Sequence, residues 1–339
     1  DYAVTQGGTG SGIRYSDCEY GWNPDHEDLY EVDLHLEAGH TIHPDTYDNG
    51  WDSHGTAVLG ETSAMVNAYG CSGMAPDATI FTYPEWTDEE GPRRVDCVTN
   101  AINDSGFGDM VLLEMQTEGH DEDSLVPAEY NNDVWLITKV GTDAGVIVVA
   151  AAGNGGNDLD SEPYEDYMAR GDSGAIIVGG GTADTNHDKT TGSTFGSRVN
   201  MQGWGTGVFT LGYGHFAEYG GDKNQRYRHT FNGTSSASPF VASAAMVVQE
   251  IWEDFSGSRM SPAEMRDHLI ATGIPQGAGG HIGPLPNLRD AINELPGYNE
   301  PPVAVCQDIV LDADGDCQAF ATAGDVDGGS FDPDGDSFE

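Results

Sequence analysis

Gly233-Thr234-Ser235-Ser236-Ala237-Ser238-Pro239 places a serine at the mouth of a small-residue stretch that then runs apolar through Val241, Ala244, Ala245, Val248 and Trp252. The spacing is helical and the face is expected to be buried. Proline is tolerated where its missing N–H would have had no partner, in the first turn, so the helix is expected to begin at about Ser235 or Ser236. Ser235 then stands at a helix N-terminus. Free backbone N–H groups and the positive end of the dipole lie close by, and an oxyanion formed by attack of its hydroxyl on a carbonyl would be stabilised locally. Small-residue helices with serines also serve as plain packing, so the remainder of the chain has to decide.

Upstream, strands and helices alternate. Ile13 to Asp17 reads as a short strand ending in an acid, and Asp52-Ser53-His54-Gly55-Thr56 opens a helix whose buried face is Val58, Met65 and Val66. Ala78 to Tyr83, Met110 to Met115, Val146 to Ala152 and Gly174 to Val178 are apolar strands, separated by helices at Val95 to Asn103 and Val134 to Val140. Strands apolar throughout are covered on both faces, so the pattern predicts an α/β fold, a three-layer doubly wound parallel sheet with its site beyond the carboxyl ends of the strands. Thr182 to Thr230 has little periodicity and reads as loops and short strands. Ser261-Pro262-Ala263-Glu264 caps a last helix. The domain is expected to span 1–296, followed by a stiff Pro-rich linker at 297–302. A β-rich segment over 303–339 follows, with strands at Val303 to Leu311 and Gln318 to Thr322.

The chain has 339 residues, with 57 Asp and Glu against 13 Lys and Arg, a formal net charge of −44. That charge repels nucleic acid and anionic lipid, and excludes both as partners. Self-repulsion of this size calls for screening salt or bound divalent cations. No apolar run approaches a membrane span, and Asp1-Tyr2-Ala3-Val4 has neither an initiating Met nor a leader, which reads as a mature or excised chain. Five cysteines match no zinc spacing; Cys306 and Cys317 could pair, and Cys18, Cys71 and Cys97 have no assigned partner.

A serine nucleophile needs a histidine to take its proton and an acid to hold that histidine, and Asp17, His54 and Ser235 supply these in order. Four stretches carry a resemblance to subtilisin-like serine proteases: Gly-Thr-Ser-x-Ala-x-Pro at 233–239, His54-Gly55-Thr56-Ala57-Val58, Asp17 followed by His26-Glu27-Asp28-Leu29, and Ala151-Ala152-Gly153-Asn154. The resemblance runs from about Gly12 to about Thr272. It implies a secreted, extracellular, monomeric serine endopeptidase acting on proteins or peptides. By this resemblance Asp17, His54 and Ser235 are catalytic and Asn154 lines the oxyanion hole. Extended substrate would lie along Leu112 to Gly119, with Leu113, Glu114, Met115, Gln116, Thr117, Ala151, Ala152 and Gly153 as contacts. Glu19 stands where the family usually has Gly after its aspartate, Ala57 replaces a common second His, and Thr117-Glu118 replaces the usual Ser-Leu-Gly-Gly. A catalytically silent binding module on the same fold is the rival reading. Gly171-Asp172-Ser173-Gly174, similar to a chymotrypsin-type motif, reads as a loop into a strand because the α/β alternation contradicts a double β-barrel.

The family resemblance also implies a structural calcium ion (Ca2+). Asp28 and Asn67 would provide side-chain ligands, with the carbonyls of Met65, Tyr69 and Cys71 as further oxygens, a hard all-oxygen set. The tail from Cys306 to Cys317 resembles the opening of a hyalin-repeat or immunoglobulin-like domain, too short here for a sandwich. Asp312, Asp314 and Asp316 do not form an EF-hand, because the sixth-position Gly and twelfth-position Glu are missing.

Overall fold

A computed structural model describes residues 2–29, 32–121, 124–299, 302–312, 315–316, 318–319 and 321–332. The chain divides into two compact units, Asp1–Ala291 and Ile292–Glu339. In the first unit the elements that position the site are, in chain order, β1 (Arg14–Glu19), β2 (Asp33–Leu34), α1 (Asp52–Ser63), β3 (Thr79–Pro84), α2 (Arg94–Asp104), β4 (Met110–Leu113), β5 (Gln116–Glu118), β6 (Leu125–Pro127), α3 (Asn132–Asp143), β7 (Ile147–Ala151), β8 (Ile176–Gly181), β9 (Met201–Trp204), β10 (Val208–Leu211), β11 (Ala217–Glu218), β12 (Arg226–Phe231), α4 (Thr234–Ser256) and α5 (Pro262–Thr272).

Seven strands form one sheet in the order β9-β8-β7-β4-β1-β3-β2, parallel throughout. Parallel neighbours need crossovers, and α2 and α3 supply them on one side while α1 and α4 pack together on the other, giving the three-layer α/β architecture expected from the alternation. Val111, Leu113, Val148, Ala150 and Ile177 turn one way, into a core shared with Val98, Ile102 and Val134 of α2 and α3. Met110, Leu112, Ile147 and Val149, equally buried, alternate to the opposite face, where α4 covers β4, β7, β8 and β9. The helix α4 comes close to the sheet because β9 carries Gly203 beneath it: a Cβ there would lie 2.0 Å from the Ala237 carbonyl oxygen.

Several expectations are corrected. The helix α1 stops at Ser63, so Met65 lies past its end and Val66 is exposed. Because α4 starts at Thr234, Pro239 is its sixth residue and falls in the second turn; its absent N–H leaves the Ser235 carbonyl without the usual helical partner. The seventh strand, β9, lies within the stretch read as loops. Capping of α5 by Ser261 and Glu264 is reciprocal, as the sequence implied. In the second unit, the described residues of the two expected tail strands form only isolated bridges, Val303 to Phe331 and Cys306 to Asp327, beside a short helix, Ala323–Val326. A segment this short has too few apolar residues to bury a sheet face. The cysteine pairing with Cys317 and the acid at Asp314 fall outside the described residues, and Cys18, Cys71 and Cys97 form no disulfide among the described residues.

Candidate active site

Adjacent parallel strands deliver the site. β1 ends at Glu19, β4 ends immediately before Glu114, and β7 ends shortly before Asn154; these three strands are neighbours, so their carboxyl ends open on one cleft. The N-termini of α1 and α4 bring His54 and Ser235 to the same place. A cleft of about 450 Å³ is lined by Glu19, His54, Glu114, Met115, Gln116 and Ser235, with Tyr20, Trp51, Tyr213 and Leu125 as its apolar walls. An adjoining cavity of about 550 Å³ shares Tyr20, Trp51, Glu85 and Arg94 and continues to Trp86 and Asn131. Trp86 stacks on His43 with ring centroids 3.9 Å apart, and Trp51 stacks on Trp86 at 5.4 Å.

His54 lies in the first turn of α1, and its Nδ1 makes a short contact with Glu19 Oε1. The histidine side chain is 30% exposed and Glu19 only 5%. A carboxylate on Nδ1 selects the tautomer that carries hydrogen there and leaves Nε2 as the acceptor. Burial opposes charging of the imidazole, but the charge and hydrogen bond of Glu19 outweigh it and raise the His54 pKa above its ordinary value. The helix is seated by Gly55, whose missing Cβ lets it rest against the Gly21 carbonyl, and by Thr56 Oγ1, which accepts from the Asn23 N–H at 2.8 Å. Phe231 meets the imidazole edge-on at 5.5 Å.

Asp17 does not reach His54, which corrects the expectation drawn from residue order. It lies one full pleat down β1 from Glu19, about 7 Å deeper along the strand, and is completely buried. Its Oδ2 accepts a hydrogen bond from Trp22 Nε1 at 2.7 Å. Burial first, and then the negative charge of Glu19, push its pKa well above the ordinary carboxylate range. The signal for Glu19 was present in the sequence. Set against the subtilisin-like aspartate motif that the sequence resembles, the run from Asp17 to Asp28 is two residues longer and Glu19 stands in place of the glycine. Read from Glu19, the surplus vanishes and Gly21 takes the glycine's place.

Asn154 is held at both ends. Its Oδ1 accepts from the Thr234 N–H at 2.9 Å, and its Nδ2 donates to Gln116 Oε1 at 3.2 Å. An amide carries two N–H groups, so one remains for a ligand beside the first-turn N–H of Ser235. Gly233, at φ 93°, passes so close that a Cβ would sit 2.8 Å from Asn154 Oδ1. Of the expected substrate contacts, Glu114, Met115 and Gln116 line the cleft. Leu113, Ala151 and Ala152 are core residues with side chains out of reach. Thr117 pairs across β5 and β6 with Val126, Gly153 packs on the Leu125 carbonyl, and the Gln116 carbonyl accepts from Arg94 Nη1 at 3.0 Å.

The residues read as calcium ligands come together but do not fit a cation. Asp28 is fully buried; its Oδ1 accepts from Asn67 Nδ2 at 2.8 Å, and its Oδ2 accepts from the Cys71 N–H at 3.1 Å and Tyr227 OH at 3.0 Å. Protein donors therefore already engage both oxygens of the carboxylate that a calcium ion would need, the Tyr227 hydroxyl being shared with Glu27 Oε1 at 2.8 Å, while Asn67 Oδ1 accepts from the Tyr69 N–H. Met65 is tied to the same place through its N–H, which donates to the Asp28 carbonyl at 2.8 Å. Among the described residues no cluster of three or more His, Cys, Asp or Glu side chains could hold a metal. Ser173 of the chymotrypsin-like motif is buried against Glu129 and Arg198, with no histidine among these partners.

Residues 18–295 match the subtilase (peptidase S8) family model. Subtilisin NAT of Bacillus subtilis subsp. natto is 26% identical over 272 residues, 79% of this chain and 62% of that protein. Subtilisin DY of Bacillus licheniformis is 24% identical over 283 residues, 84% of this chain and 91% of that one. The chain thus spans a little over three-fifths of the length of the first of these relatives. Among solved structures, fervidolysin from Fervidobacterium pennivorans, a keratinolytic enzyme related to subtilisin, aligns over 90% of this chain and 46% of its own, with TM-score 0.64 and 20% identity. The protease domain of PatA aligns over 84% of this chain and 95% of its own, with TM-score 0.62 and 17% identity.

Proposed function

The chain belongs to the subtilase family, and from that premise we propose that it is a secreted serine endopeptidase in which Ser235, His54 and Glu19 form the catalytic triad. An extended peptide lies in the cleft between Met115 and Gln116 on one side and the aromatic wall of Tyr20 and Trp51 on the other. Ser235 Oγ attacks the scissile carbonyl as His54 Nε2 takes its proton, and Glu19 holds Nδ1–H and stabilises the imidazolium. The free N–H of Asn154 Nδ2 and the Ser235 N–H receive the oxyanion. Collapse of the tetrahedral intermediate moves the proton from His54 to the leaving amine, and a water then hydrolyses the acyl-enzyme by the same route in reverse. Proteins and peptides are the partners, with the enzyme acting as a monomer. Among the described residues no helix is long and apolar enough to cross a membrane.

The observation that carries this reading is the His54 to Glu19 contact in the cleft that also holds Ser235. A fluorophosphonate probe should label the wild-type protein at one site, and Ser235→Ala should abolish both labelling and hydrolysis of casein while leaving the thermal transition within a few degrees. Labelling or hydrolysis that survives in Ser235→Ala removes the serine from the reaction.

A further inference from the structure

We propose that Arg228 is a specificity-determining residue: its guanidinium, laid on Tyr213 at the flank of His54, receives a substrate carboxylate on the leaving-group side of the scissile bond. The inference rests on the peptidase reading above and deepens it by naming a class of substrate.

The backbone places Tyr213 against a steric preference. Gly212, Tyr213 and Gly214 have φ of 76°, 60° and 81°, a run that suits glycine and that a bulky side chain rarely adopts. Such an outlier beside a reacting centre points to function. The Gly212 N–H donates to the Arg226 carbonyl at 2.8 Å and the Gly214 N–H to the Gly212 carbonyl at 2.7 Å. Gly212 also lies so close to α1 that a Cβ would sit 2.6 Å from the Ser53 carbonyl oxygen. The loop is thus seated on the residue that precedes His54, and Tyr213 lines the cleft that holds His54 and Ser235. Its ring lies 6.1 Å from Phe231, the residue that meets His54 edge-on.

Arg228 lies directly opposite Thr210 across β12 and β10, so the two side chains leave the same face of that sheet. Thr210 Oγ1 donates to the Ala57 carbonyl, which turns this face towards α1. The Arg228 Cζ lies 4.4 Å from the centroid of the Tyr213 ring, a cation–π contact that fixes the guanidinium at the cleft. Its Nε donates to the Thr230 carbonyl at 3.1 Å; among the described residues its two Nη groups have no hydrogen-bond partner and it forms no ion pair. Arg226, two residues earlier, instead grips Glu218 through both Nε and Nη2. In a chain with 57 acidic side chains and 13 Lys and Arg, the Nη fork of Arg228 stays open to a carboxylate from outside.

The charge of Arg228 is felt at the reacting centre: after burial and Glu19, it is the next influence on His54, and it opposes protonation of the imidazole. With the acyl portion of the substrate between Met115 and Gln116 and the Tyr20 and Trp51 wall, the segment after the leaving amine passes Phe231 and Tyr213 and arrives at Arg228. An Asp or Glu side chain there, or the α-carboxylate that ends a short leaving fragment, presents the same pair of oxygens to the fork.

The test compares kcat/KM for matched peptides that differ only after the scissile bond: Glu, Gln or Lys at the first or second position with an amidated C-terminus, and Gln with a free terminal carboxylate. The ratio of a carboxylate peptide to the amidated Gln peptide should be about tenfold higher in the wild type than in Arg228→Gln. The repulsion from the net charge of −44 acts alike on both proteins, so the comparison isolates this residue. Arg228→Glu should turn the preference over, cleaving the Lys peptide faster than the Glu peptide. Which carboxylate peptide gains separates side-chain from terminal recognition. Ratios that are the same in the wild type and both variants overturn the proposal. Fluorophosphonate labelling reports on Ser235 separately, and its absence in the wild type would instead sink the serine mechanism itself.

Discussion

Beside Ser235 the cleft holds carboxyl groups in several protonation environments and one imidazole, and distance decides which of them the imidazole meets. Glu19 and Asp17 share a face of β1, yet only the outer one, at the strand end and with one more methylene, reaches His54 Nδ1. The inner one is consumed by Trp22. Residue order alone could not separate them, since both precede His54, and only the spacing to Asp28 could. Ser235, His54 and Asn154 were legible because each sits at an element start or strand end marked by Gly, Pro or a capping residue. The hydrogen bonds that close around Asp28 were not, because burial and hydrogen-bond direction arise from elements far apart in sequence.

Among the elements, the alternation of continuous apolar strands with helices made β1, β3, β4, β7 and β8 of the three-layer sheet readable, while the two-residue edge strand β2, Asp33–Leu34, is exposed and gave no apolar signal. The other edge strand also escaped, because β9 has just four residues, two of them Gln202 and Gly203, and its burial comes from α4 rather than from its own composition. That packing places Ser235: α4 lies on β9 where Gly203 leaves room for the Ala237 carbonyl. Gly203→Ala should therefore lift the first turn of α4, costing about 1–3 kcal/mol in denaturant unfolding and lowering kcat more than KM as Ser235 shifts relative to His54. Wild-type stability and turnover in this variant would mean that the helix start is set by other contacts.

Over the whole molecule, two effects favour acidic over alkaline conditions. The net charge of −44 grows more repulsive as carboxyls ionise. Asp17, Glu61 and Glu114 have folded-state pKa values raised above the unfolded ones, chiefly by burial, so their stabilisation is full below about pH 4 and is lost as pH rises through the folded values. Glu61 is the simplest case, with neither oxygen partnered. The Tm should fall from pH 5 to pH 9 at low salt, and in about 1 M NaCl, where the screening length is about 3 Å, only the buried-carboxyl part should remain. Glu61→Gln should reduce that remainder. A Tm independent of pH in high salt, or an unchanged slope in Glu61→Gln, would assign the whole dependence to surface charge.

The most direct test of the account is kcat/KM against pH for Glu19→Gln and Asp17→Asn beside the wild type. Wild-type activity should rise with pH through the titration of His54, at a midpoint above its ordinary value of 6.5, because the neutral imidazole is the base. Glu19→Gln should lower kcat/KM on the order of 10⁴-fold by releasing the tautomer, and its residual activity should titrate at lower pH once the raising charge is gone. Asp17→Asn should stay within about threefold of wild type with the midpoint little moved. The reverse outcome, a large loss in Asp17→Asn with Glu19→Gln nearly intact, would contradict the account at its centre.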